Sequence, residues 1–179
     1  MTVNCPGTSA TTDREFSLTT STASACLRYG TGNINGNTTA GNPNGLDPLL
    51  NPNDPLYLGS GYALIDKSDV GGSRIALTGL GGGSGSWSFA LPTAPTGFSW
   101  ANLVFALKSG VGQLSPTWAA FSLPAGVTGG TWAISRQGLS HANLYGQLAE
   151  VPAPVPLPAA GLLLAGGLGG LAALRRRKA

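Results

Sequence analysis

Charged side chains are scarce in this chain of 179 residues: Asp, Glu, Lys and Arg together make up 9% of it, against about 25% in ordinary soluble domains. Four of the ten cations stand together near the C-terminus, at Arg175, Arg176, Arg177 and Lys178. Without them, six cations face seven acids, a formal net charge of −1 (6 − 7). Nucleic-acid binding relies on clustered Lys and Arg. We therefore expect no nucleic-acid partner.

Metal-binding and redox residues are equally few. His141 is the single histidine, and the spacing of the two cysteines, Cys5 and Cys26, fits no metal motif. We expect neither a metal nor a cofactor. An even cysteine count suits an oxidising compartment, where a bridge between Cys5 and Cys26 would add about 3 kcal/mol of stability by the chain-entropy estimate. The sequence predicts this disulfide.

No arrangement typical of catalysis is visible. His141 follows Ser140, but neighbours on a strand point to opposite faces, so we interpret His141 as a surface or half-buried structural residue. Asp66, Lys67 and Asp69 read as a solvated turn. The glycine-rich run 79–85 lacks the Lys-Ser/Thr of a phosphate-binding loop, which indicates a turn or connection. These patterns predict that the protein is not an enzyme.

Helical patterns are missing before residue 157, whereas short apolar runs separated by Gly and Pro recur throughout. This pattern predicts an all-β antiparallel sandwich, jelly-roll-like, over residues 1–150. The runs that we assign as strands are 13–22, 57–58, 62–65, 74–78, 87–91, 100–110, 118–124, 131–135 and 138–146. The first of them has the composition of an edge strand. Gly126, Gly129 and Gly130 are expected in a hairpin turn before 131–135.

Two runs carry more detailed expectations. Alternation predicts that Trp87, Phe89 and Leu91 share one buried face. The nearly continuous apolar run around 103–107 predicts a central strand that is buried on both faces.

A segment rich in Asn, Gly, Pro and Asp covers residues 30–55 and predicts a long loop. Asp47 and Asp54, with the neighbouring amides, offer oxygen ligands for Ca²⁺, but no twelve-residue calcium-loop pattern is present. We therefore favour turn formation over calcium binding here.

The four tryptophans allow two interpretations. Trp87, Trp100, Trp118 and Trp132 all stand in apolar strand patterns, which indicates core packing. Exposed Trp side chains on a β-sandwich would instead stack on sugar rings and bind carbohydrate.

The C-terminal segment differs from everything before it. Residues 151–158 form a proline-rich linker, residues 159–174 carry no charge, and residues 175–179 are basic. Sixteen helical residues span about 24 Å, slightly short of a bilayer core, and the Arg and Lys stems can cover the shortfall. We predict a single transmembrane helix over 159–174 with the basic tail in the cytoplasm. Gly166 and Gly170 have the spacing of a helix-pairing motif, which chance also explains in a glycine-rich helix.

The order of motif, apolar helix and basic cluster resembles the PEP-CTERM protein-sorting signal of Gram-negative bacteria, in its VPLPA variant. The motif is Val155, Pro156, Leu157, Pro158 and Ala159. The resemblance covers about the last twenty-five residues; the domain before them has a looser likeness to domains that PEP-CTERM proteins carry.

The resemblance implies recognition by an exosortase, a membrane-embedded cysteine transpeptidase-like enzyme, with cleavage near the motif. It further implies transient anchoring in the inner membrane, then release to the cell surface or exterior, in bacteria that make exopolysaccharide and biofilm. Such export needs an N-terminal signal peptide, and Met1 leads directly into polar sequence. We therefore expect the start to be truncated. The function expected is that of an exported structural or interaction protein, with a carbohydrate-binding module as the alternative.

Overall fold

The computed structural model describes residues 1–6, 13–42, 45–110 and 113–152, and it contains ten β-strands in that part of the chain. They are β1 (Thr2–Cys5), β2 (Phe16–Thr19), β3 (Ala25–Gly30), β4 (Tyr62–Lys67), β5 (Ile75–Leu77), β6 (Ser84–Phe89), β7 (Phe98–Ser109), β8 (Trp118–Ser122), β9 (Gly129–Ile134) and β10 (Leu139–Glu150). The described part contains no helix, which confirms the all-β prediction.

The strands form two antiparallel five-stranded sheets. Sheet A has the order β1-β2-β9-β6-β5, and sheet B has the order β3-β8-β7-β10-β4. Alternation along the strands turns one apolar face of each sheet inwards. The inner core contains buried side chains from both sheets. Phe16 and Trp132 come from sheet A, and Phe105, Phe121 and Leu144 come from sheet B. The sheets therefore pack face to face as a β-sandwich.

A second core lies on the outer face of sheet B. Val104, Ala106 and Trp118 point away from the sandwich interior and pack against Ile34 and Leu49 of the segment between β3 and β4. The predicted long loop is thus a cover that crosses the sheet. It also explains why strand β7 is buried on both faces from Leu103 to Leu107, as the apolar run predicted.

Several strand predictions were wrong in detail. The segment 13–22 contains β2, which pairs with β1 on one side and β9 on the other, so it is an interior strand rather than the first or an edge strand. Strands β1 and β3 are absent from the predicted strands, since β1 has only four residues and β3 has no regular alternation of buried and exposed residues. Residues 57–58 are not a strand; they follow a turn in the cover.

The glycines next to strands also behave differently from the prediction. Gly129 and Gly130 belong to β9, and Gly85 belongs to β6, so only part of each glycine-rich run is a turn. Trp87 and Phe89 are buried on one face as predicted, but Leu91 lies beyond the end of β6 and is 36% exposed.

Candidate functional site

A groove of about 370 Å³ lies at the end of the sandwich where β7 begins and where the β8–β9 connection turns. Its walls are mainly apolar, and the large side chains that line it are those of Leu91, Trp100, Leu123 and Val127. Asn102 and Thr128 contribute polar atoms. The groove is therefore suited to a ligand with a substantial apolar face and a few hydrogen-bonding groups.

Trp100 is the only tryptophan that is not buried. Trp87, Trp118 and Trp132 are at most 2% exposed and pack in the two cores, as the core interpretation predicted. Trp100 is partly buried against the inner core, and its Nε1 donates a 2.9 Å hydrogen bond to the Pro92 carbonyl. This bond connects the indole to the β6–β7 connection and so helps to fix its orientation beside the groove.

Asn102 supplies the one strained backbone position in this groove. Its φ is +49°, in the left-handed region that non-glycine residues seldom occupy. The side-chain Nδ2 donates a 2.6 Å bond to Gln147 Oε1, and Gln147 Nε2 donates to the Ser60 carbonyl at 2.8 Å. The strain coincides with an irregularity in the β7–β10 register between Tyr145 and Gln147. Backbone strain of this kind often occurs at binding sites.

A chain of buried polar groups lies elsewhere, between β10 and the cover. Tyr145 Oη donates a 2.7 Å bond to Asp47 Oδ2 and accepts one of 2.8 Å from Asn143 Nδ2. The Ile34 carbonyl accepts bonds of 3.1 Å from both Asn143 Nδ2 and His141 Nε2. Asp47 is fully buried, and its two oxygens also accept the backbone N–H groups of residues 36 and 49. These bonds attach the cover to the sheet.

Burial is the main cause of the pKa shifts of Tyr145 and His141 among these polar groups. It raises the pKa of Tyr145 well above the ordinary value, and the Asp47 carboxylate adds to the increase. Burial lowers the pKa of His141, while the bond to the Ile34 carbonyl acts in the opposite direction. The phenol therefore stays protonated and acts as a donor to Asp47.

Ser140 and His141 are closer than the sequence suggested. The Ser140 Oγ and His141 Nδ1 atoms are 3.2 Å apart, at the point where the β7–β10 register shifts between Leu139 and His141. His141 is also buried, at 5% exposed, rather than at the surface or half-buried. Since His141 Nε2 faces a backbone carbonyl, Nδ1 is the nitrogen that accepts from the serine. The carboxylate nearest the ring, Asp69, lies 3.8 Å from that same nitrogen, which is not the arrangement of a catalytic triad.

The remaining predicted sites are structural. Cys5 and Cys26 form a disulfide. The solvated turn predicted for Asp66, Lys67 and Asp69 is wrong for two of the three residues, because Asp66 and Lys67 are half-buried at the end of β4 and only Asp69 is in the turn. Asp66 accepts bonds from Ser73 Oγ and the backbone N–H of Arg74 and so holds the β4–β5 connection. Lys67 pairs with Asp69 at 3.1 Å. Among the described residues no group of three His, Cys, Asp or Glu could hold a metal ion.

The cover contains a sequence repeat that indicates a folded element rather than a plain loop. The segments Leu46-Asp47-Pro48-Leu49 and Asn53-Asp54-Pro55-Leu56 share Asp-Pro-Leu. In each, the Asp Oδ1 accepts the leucine N–H at 2.9 Å, and the leucine packs in the outer core. This repeat of an Asx-type turn could have identified the loop as a folded element.

The sorting motif (Val155, Pro156, Leu157, Pro158, Ala159), the helix 159–174 and the cations Arg175, Arg176, Arg177 and Lys178 lie outside the described residues, as does the linker after Pro152. In the part of the chain that is described, no helix is long and apolar enough to span a membrane. No protein family, curated protein or solved structure matches the chain.

Proposed function

We propose that this protein is an exported bacterial surface or extracellular-matrix protein of structural or interaction type. The observation that carries the proposal is the Cys5–Cys26 disulfide, because such bonds persist in oxidising, extracytoplasmic compartments. The described fold adds support, since it is a compact sandwich whose buried polar groups bind the cover rather than a substrate.

In this proposal the C-terminal segment delivers the sandwich. The helix 159–174 holds the protein transiently in the inner membrane, residues 175–178 remain in the cytoplasm, and an exosortase cleaves near Pro156 and Pro158. The sandwich is then left at the cell surface or outside the cell. The nested pairings β2–β9 and β3–β8 support the finer description of the sandwich as jelly-roll-like.

Replacement of the two motif prolines tests the sorting signal. The chain, with a native signal peptide restored, is expressed in a host that has an exosortase, and the mass of the exported protein is followed. We expect Pro156→Ala with Pro158→Ala to leave an unprocessed, membrane-bound form. The double variant Pro92→Ala with Pro95→Ala, in the β6–β7 connection, serves as the control. Normal processing of the motif variant would refute the proposal.

A carbohydrate-binding module is the second candidate, and the groove beside Trp100 favours it. A partly exposed indole next to the amide of Asn102 provides the stacking face and the hydrogen-bonding group that sugar recognition uses. Co-precipitation with bacterial exopolysaccharide tests this function. We expect Trp100→Ala to abolish retention, and Tyr29→Ala, which removes an exposed aromatic on β3, to leave it unchanged. Equal retention of both variants would exclude the groove.

A further inference from the structure

Large apolar side chains are exposed at one end of the sandwich. Phe98 is 39% exposed, Leu148 is 42% exposed and Val151 is 52% exposed. Trp100 lies directly opposite Leu148 in the β7–β10 pairing, and Leu91 lines the same groove as Trp100. We call these five residues the exit surface, because the described chain leaves the sandwich here. An apolar patch of this kind usually marks an interaction site.

Charge is almost absent around the exit surface. The segments 89–101, 123–130 and 146–152 contain a single charged residue, Glu150, which lies opposite Phe98 in the β7–β10 pairing. The exposed Arg74 lies beside Leu91, since its carbonyl accepts the Ala90 N–H at 3.2 Å. A surface with few charges loses little hydration energy when it leaves water. The other end of β10 differs, because His141 there lies among Lys67, Asp69 and Lys108.

The chain itself limits how far the exit surface can lie from the proposed membrane helix. The Val151 N–H donates a 2.9 Å bond to the Gly97 carbonyl, which fixes the end of β10 against the start of β7. Only residues 153–158 separate this point from the predicted helix. Six residues in extended or polyproline conformation span at most about 20 Å. The exit surface is thus the part of the sandwich that stays nearest to the bilayer.

We propose that the exit surface docks on the lipid–water interface of the bilayer while the tail is uncleaved, an inference that rests on the proposed membrane anchoring of the tail. Phe98, Leu148 and Val151 enter the boundary between headgroups and acyl chains, and the Trp100 indole lies at headgroup depth, where Trp is favoured. Because the few charges around the exit surface, Glu150 and Arg74, are of opposite sign, docking does not need anionic lipid and resists salt. Cleavage of the tail then releases the surface together with the groove beside it.

The experiment uses the full chain reconstituted into phosphatidylcholine vesicles, with two separate measurements. Flotation with the vesicles reports insertion of the tail. Quenching of tryptophan fluorescence by lipids brominated near the headgroup reports contact of Trp100 with the interface. We expect the protein to float, with at least twofold quenching of the emission component that Trp100→Phe removes, and with the same quenching at high salt.

The variant Phe98→Ser with Leu148→Ser should still float but lose this quenching. Val70→Ser with Leu80→Ser removes two side chains elsewhere that are more exposed, at 50% and 54%, and should retain it. Flotation without quenching of Trp100 would overturn docking and leave the anchor intact. Failure to float would overturn docking together with the proposed anchor. Self-association of the lipid-free chain that is lost in the Phe98/Leu148 variant would identify a second copy as the occupant and would also overturn docking.

Discussion

Tyr145 on strand β10 donates a 2.7 Å hydrogen bond to Asp47, which lies 98 positions earlier in the chain. Both side chains are fully buried. The bond connects sheet B to the cover through a charged acceptor, and such bonds are stronger than those between neutral groups.

Tyr145→Phe should therefore lower the free energy of unfolding by about 2 kcal/mol, because the Asp47 carboxylate stays buried with one donor fewer. Chemical denaturation measures the loss. Tyr29→Phe is the matched control, since Tyr29 is 42% exposed, and it should change stability little. Equal stability of the two variants would show that the bond contributes nothing to the attachment of the cover.

Gly130 should tolerate no side chain. It lies opposite Trp87 in the β6–β9 pairing, and a Cβ added to it would stand 2.0 Å from the Thr19 carbonyl oxygen. We expect Gly130→Ala to destabilise the sandwich by about 3 kcal/mol, the upper end of the usual range for an overfilled core. Gly71→Ala is the control, because an added Cβ there meets nothing within 4 Å. Thermal melts of the two variants that coincide would contradict the prediction.

Removal of the disulfide should cost about 3 kcal/mol, the chain-entropy value for a bridge with a sequence separation of 21. The variant Cys5→Ser with Cys26→Ser isolates this effect from free-thiol chemistry, and its midpoint in denaturant is compared with that of the oxidised protein. Thiol labelling of the exported protein under denaturing, non-reducing conditions provides the second measurement. Two labelled thiols per chain would refute the bridge in vivo.

Acidification should weaken the attachment of the cover through His141. Burial lowers the pKa of this imidazole below its ordinary value of 6.5, and Lys67 and Lys108 act in the same direction against the Ile34 carbonyl and Asp69. The unfolded chain therefore takes up the proton at higher pH than the folded protein. This contribution to stability is complete above pH 6.5 and decreases as the pH falls below that value.

His141→Gln provides the comparison, since a glutamine amide can still donate to the Ile34 carbonyl but does not titrate. We expect the melting temperature of the unaltered protein to fall more steeply than that of the variant between pH 7 and pH 5. Parallel curves would show that His141 is not responsible for the pH dependence.

The sequence predicted the fold where burial leaves a continuous or alternating apolar pattern. The apolar run 103–107 predicts a strand with both faces buried, and in the structure both faces of β7 are buried there. The apolar run could not show that residues 34–58 would cover the outer face of sheet B. The contacts between these residues and the sheet join segments that are far apart in the chain. Glycine misled the strand assignments, since Gly85 and Gly130 provide room for the Trp132 and Trp87 indoles opposite them rather than breaking the strand.

The groove beside Trp100 and the buried polar groups of β10 could not be predicted from the sequence. Four tryptophans stand in similar apolar patterns, and only the end of the sandwich leaves Trp100 partly exposed. The short distance between Ser140 and His141 occurs at a shift of the strand register, and no residue type in the sequence predicts such a shift. The buried ladder of His141, Asn143 and Tyr145 follows from alternation along β10, but its partners come from the distant cover.

Strand β10 is the last described element before the proposed tether, and it lies inside sheet B, between β7 and the edge strand β4. A pull from an anchored tail would enter the sandwich through the last residues of β10, from Leu148 to Glu150, which pair with β7 alone. Further inwards, from Gln147 to Asn143, β10 pairs with both β7 and β4. Such a load would have to open the β7 ladder before it reached the doubly paired part of the strand. The position of β10 would make the sandwich resistant to mechanical drag at the point where a flowing medium would act on an anchored protein.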